Sequence, residues 1–74
     1  MKKEKVPFFI GKIIENAGGT RNDRSKEYVI RSVIDDYYRE NWEAFVQEWF
    51  DQYCNVLKFY RAVENGYEVE ESEE

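Results

Sequence analysis

The chain has 74 residues and a formal net charge of −5, with one cysteine and no histidine. Without histidine the commonest general base, the usual metal ligand and every histidine-dependent triad are missing. A single cysteine, Cys54, excludes an internal disulfide and a cysteine-built zinc site. A chain this short buries only roughly 60% of its unfolded surface, so one marginally stable domain that leans on a partner or a second subunit is expected.

Charge is uneven. Residues 1–31 carry eight bases against four acids, a net +4, and residues 32–74 carry three against twelve, a net −9. No segment approaches the ~20 apolar residues that span a bilayer. The uncharged run 6–11 is too short for the apolar region of a secretory signal.

Pro7 suits the first turn of a helix, and Phe8, Phe9, Ile10, Ile13 and Ile14 repeat behind it at helical spacing. A short helix over residues 7–17 is predicted, stopped by Gly18-Gly19. Gly11 inside it weakens the prediction by about 1 kcal/mol relative to alanine. Residues 18–24 form a glycine-rich turn, after which Asp23 or Ser25 can cap a second helix. Its apolar stripe is Val29, Ile30, Val33, Ile34 and Tyr37.

The strongest pattern lies beyond. Trp42, Phe45, Val46, Trp49, Phe50, Tyr53, Val56, Leu57, Tyr60 and Val63 fall at spacings of three, four and seven, which predicts a helix over 42–64 closed by Asn65-Gly66. A single helix over 25–64 would be about 60 Å long, so a bend near residues 39–41 is favoured, with Asn41 able to cap. Tyr67 and Val69 alternate with Glu68 and Glu70, a weak strand pattern. The fold expected is therefore all-α: a short N-terminal helix, a glycine-rich turn, and two further helices or one long bent helix. Residues 1–66 form the domain and 67–74 an acidic flexible tail.

Trp42, Phe45, Trp49, Tyr53, Leu57 and Tyr60 offer more aromatic surface than one small monomer covers, so they are expected to divide between the core and a homodimer interface. Tyr28, Tyr38 and Phe59 fall off the apolar stripes. Cys54, beside Tyr53, Val56 and Leu57, is expected to be a small buried hydrophobe in a reducing cytoplasm.

The chain is expected not to be an enzyme. Asp35 and Asp36 are adjacent and point apart on a helix, no calcium-loop spacing is present, and neither metal nor cofactor is implied. Two binding readings follow. In the first, Asp36, Glu40, Glu43, Glu48 and Asp51 contact lysines and arginines on a host protein with a basic surface. Rows of carboxylates of this kind mimic DNA phosphates, as in small phage-type inhibitors of nucleic-acid-binding proteins.

In the second, the run Gly-Thr-Arg-Asn-Asp-Arg-Ser-Lys-Glu-Tyr-Val-Ile-Arg-Ser-Val-Ile-Asp-Asp-Tyr-Tyr, residues 19–38, resembles the turn and second helix of ribbon-helix-helix DNA-binding repressors. The resemblance implies a transcriptional regulator that meets DNA through Arg21, Arg24, Ser25 and Lys26, with Ser25 capping a helix whose N-terminus contacts a phosphate. That family reads DNA with a strand ahead of its first helix, where this chain has only residues 2–5 before Pro7. The net charge of −5 also opposes phosphate affinity. The acidic reading is therefore preferred.

Overall fold

The computed structural model describes residues 3–70. Six elements follow one another: β1 (Glu4–Val6), α1 (Phe8–Asn16), α2 (Asp23–Tyr38), α3 (Ala44–Asp51), α4 (Asn55–Asn65) and β2 (Tyr67–Val69). The expected all-α fold is corrected on two counts. Among the described residues four helices stand where two or three were expected, and a two-stranded parallel sheet joins their two ends.

The sheet pairs Glu4 with Tyr67, Lys5 with Glu68 and Val6 with Val69. Parallel strands need a long crossover, and here all four helices lie between them. Tyr67, Glu68 and Val69 are thus a strand rather than the start of a flexible tail, while residues 71–74 of the expected tail lie outside those described. An ion pair from Arg61 Nε to Glu4 Oε2, 3.0 Å long, ties α4 to β1.

Helix ends follow local chemistry. Asn22, not Asp23 or Ser25, caps α2: its Oδ1 accepts the Ser25 N–H at 2.9 Å. The C-terminus of α1 closes with Gly18 N–H donating to Glu15 O and Gly19 N–H to Ile14 O, the pairing of a Schellman motif. α2 closes in the same way, with Glu40 N–H donating to Tyr37 O and Asn41 N–H to Asp36 O.

The single helix expected over 42–64 is broken. Gln52, Tyr53 and Cys54 interrupt it, and Cys54 has a left-handed backbone with φ 68°. Asn55 turns its side chain back, donating from Nδ2 at 2.7 Å to Trp49 O, which also accepts the Gln52 N–H at 3.3 Å at the end of α3. The break resets the buried stripe. Val46, Trp49 and Phe50 face the core from α3, and Phe59, Ala62 and Val63 from α4. Phe59, expected off the stripe, is fully buried, whereas Leu57 is half-exposed. The rest of the core is Val6 from β1, Ile10 and Ile14 from α1, and Val29, Val33 and Ile34 from α2.

Candidate binding face

The loop between α2 and α3, residues 39–43, organises the surface that the sequence marks as acidic. Trp42 lies across it and is held at both ends. Its indole Nε1–H donates to Val33 O at 3.1 Å, and its backbone N–H donates to Gln47 Oε1 at 3.2 Å. The other end of the Gln47 amide donates to Tyr37 O at 3.3 Å, so one side chain of α3 clasps both the loop and the end of α2. Asn41 adds a side-chain hydrogen bond to Asp36 Oδ1 at 3.3 Å.

Three hollows surround this loop. The first lies between α1 and α2, lined in part by Ile13, Ala17, Tyr28, Asp36 and Trp42. The second lies between α1 and the start of α3, lined in part by Phe9, Ile13, Trp42, Glu43 and Phe45. The two meet at Ile13 and Trp42, which line both. The third is polar and lies beyond Gln47, lined by Tyr37, Tyr38, Glu40, Gln47 and Asp51. Four carboxylates line these hollows, and among the described residues no lysine or arginine does. The nearest cation in sequence, Arg39, is paired with Asp35 at 3.0 Å.

In the polar hollow the Tyr37 hydroxyl donates to Asp51 Oδ1 at 2.5 Å. That hydrogen bond, then partial burial, then the negative charge of Asp51, push the Tyr37 phenol above its ordinary value. Tyr67 is also pushed up, first by burial and then by the charge of Glu15.

The structure thus brings Asp36, Glu40, Glu43 and Asp51 together around one loop. It does so by a route other than the helical stripe expected, because Glu40 and Glu43 lie outside any helix. Glu48 is exposed on α3 and lines none of the three hollows. Sequence reasoning placed Tyr37 in a core stripe and missed it, with Phe9 and Ile13, as lining residues. Tyr38, off every stripe, was the available signal of an exposed aromatic.

Of the six residues expected to divide between core and interface, Trp49 is buried, and Trp42 and Tyr60 are partly buried. Phe45 is 50%, Leu57 54% and Tyr53 93% exposed. Cys54 is exposed, against expectation, because the break between α3 and α4 turns it outward.

Among the residues of the DNA-binding alternative, Arg21 and Arg24 are exposed at the start of α2. Ser25 is partly buried, and its N–H is used by Asn22. Lys26 Nζ donates to Glu64 O at 3.0 Å, a cation satisfying a carbonyl at the C-terminus of α4.

Among the described residues no group of three or more histidine, cysteine, aspartate or glutamate side chains could hold a metal ion, and no helix is long and apolar enough to cross a membrane. No protein family, curated protein or solved structure matches the chain.

Proposed function

We propose that the chain is a small protein-binding module, of the phage-type inhibitor class, whose acidic face occupies the basic surface of a nucleic-acid-binding host protein in the cytoplasm. One observation carries this reading: four carboxylates line aromatic-bearing hollows around one loop, and among the described residues no lysine or arginine lines them. Between Arg39 and Lys58 the sequence has four acids and no base, and Arg39 is paired with Asp35. Unpaired charge of one sign steers an oppositely charged partner, and tyrosine and tryptophan beside it supply contact area at low entropic cost. The proposal assigns no reaction and no cofactor. It includes a homodimer, built on the exposed Tyr53 and Leu57 where α3 meets α4.

Exchange of Glu40, Glu43 and Glu48 together for lysine tests it. All three are exposed, and their carboxylates hold no partner among the described residues, so the helices should stay folded. Immobilised wild-type chain should capture basic proteins from host lysate and release them to duplex DNA, and the triple variant should capture few. Capture indifferent both to the variant and to competing DNA would overturn the reading.

A second reading has its own support. β1, α1 and α2 follow in the strand–helix–helix order that the ribbon-helix-helix resemblance implies, with Arg21 and Arg24 exposed at the start of α2. In this chain, however, β1 is hydrogen-bonded to β2 of the same chain. Retention of duplex DNA with a steep salt dependence, lost on exchanging Arg21 and Arg24 for alanine, would favour this reading over the first.

A further inference from the structure

The two apolar hollows adjoin at Ile13 and Trp42, which line both, making a groove in two parts. Along one wall run Phe9, Ile13 and Ala17, each four residues from the next on a single stripe of α1. That stripe is about 12 Å long at 1.5 Å per residue. Across from it stands Trp42, fixed by its two hydrogen bonds, and Phe45 closes one end, its ring packed edge-on against Phe9 with centroids 5.0 Å apart. Asp36 and Glu43 stand in the lining beside Trp42.

Resting on the acidic-face reading, we propose that this groove seats a short amphipathic helix of the partner. Its apolar side chains enter along α1, and a lysine or arginine beside them meets Asp36 and Glu43. A helix laid in an apolar groove is anchored by residues at i, i+3 or i+4, and i+7, a span of two turns that matches the length of the α1 stripe. Strand addition needs an open sheet edge, and neither wall of the groove contains a strand. Charge selects among occupants of the right shape. A second copy of this chain carries a net charge of −5, and the acidic residues 70–74 carry the wrong sign. A basic helix is attracted, and its apolar face covers the half-exposed ring of Phe45.

Selection of a displayed library of short helix-forming peptides on the intact chain tests this. The recovered peptides should share two or three apolar residues at helical spacing with lysine or arginine next to them. Fluorescence polarisation of the best peptide should show at least about tenfold weaker binding to Phe45→Ala and to Glu43→Lys, the loss expected at the centre of an interface. Gln52→Ala, exposed and outside the groove, should bind like wild type, and circular dichroism of each variant confirms its helices.

Basic peptides without apolar spacing, bound equally by Phe45→Ala, would overturn the groove and leave the acidic face standing. Recovery of no peptide, or of peptides with neither apolar spacing nor enriched lysine or arginine, would overturn both. Apolar, uncharged winners that require Phe45 and ignore Glu43→Lys would overturn the basic partner.

Discussion

Glu40 has a left-handed backbone, φ 58°, at the position after α2 where the pattern of hydrogen bonds suits glycine. At the matching position after α1 the chain has Gly18, with φ 123°. The same closing motif was legible in one place and hidden in the other, because only glycine announces a left-handed residue in a sequence. Cys54, φ 68°, hides the break between α3 and α4 in the same way. A non-glycine residue held left-handed is strained by roughly 1 kcal/mol, partly offset in a glycine variant by the greater freedom of its unfolded chain. Glu40→Gly should therefore raise stability to urea by about 0.5–1 kcal/mol, read from the unfolding midpoint at unchanged slope. Unchanged or reduced stability would show that Glu40 is not strained.

Tyr37 gives a pH dependence whose sign can be worked out. Its phenol is held above the ordinary 10.0 chiefly by its hydrogen bond to Asp51. A raised pKa means that the folded state keeps its proton where the unfolded chain has lost it. The contribution is therefore fully present below about pH 10 and is lost as pH rises from there through the folded-state value. Tyr37→Phe should flatten the loss of stability above pH 10, measured by thermal melts across that range. An alkaline decline as steep in the variant as in wild type would assign the effect to other groups.

At the scale of elements, the helices were largely legible and the sheet was not. Apolar spacing located α1, α2 and the aromatic region of α3 and α4. It ran the last two together because the residues at the break, Tyr53 and Cys54, continue the apolar pattern while both are exposed. β2 offered only the alternation of Tyr67 and Val69, and its partner lies at the far end of the sequence, where no local pattern can reveal the pairing.

A second trace of the sheet lay at Gly11. A glycine inside a helix is unfavourable by about 1 kcal/mol relative to alanine, and β2 supplies the reason for it. A Cβ at Gly11 would lie 2.7 Å from Val69 Cγ2 and 3.6 Å from the Tyr67 ring. Val69 is β-branched and has little rotamer freedom with which to retreat. Gly11→Ala should thus destabilise the protein despite its better helix propensity, by about 1 kcal/mol net of the two opposing effects. In a Val69→Ala background the same substitution should become stabilising by a few tenths to about 1 kcal/mol. A Gly11→Ala effect of one sign in both backgrounds, measured by denaturant unfolding, would mean that β2 does not press on α1.

Over the whole molecule, the sheet rearranges the charge that the sequence divides so unevenly. It sets the basic N-terminal strand beside the acidic C-terminal one, Lys5 opposite Glu68, with the side chain of Lys3 packed over Gly66. Opposite charges at the two ends of the described residues are thereby brought together, whereas the acids around the α2–α3 loop line hollows without a lysine or arginine among the described residues. The sequence marked these acids individually. Only the fold shows that loop residues as well as helical ones assemble the face, and that Trp42 anchors it.

This arrangement separates the two associations proposed for the chain. Binding of a basic partner joins unlike charges, so it should weaken as salt is added and the Debye length shrinks toward ~8 Å at physiological ionic strength. Homodimerisation through Tyr53 and Leu57 buries apolar surface while bringing together two protomers that each carry a net −5. Screening relieves that repulsion, so the dimer should tighten as salt is added. Sedimentation over a salt series should show the dimer fraction rising, and Leu57→Ser should abolish it without loss of helical content, since Leu57 is half-exposed. Capture of a basic target by the same preparations should fall over the same series and should persist in Leu57→Ser. A monomer at every salt concentration would remove the dimer from the proposal, and two associations that change in the same direction would mean that charge controls only one of them.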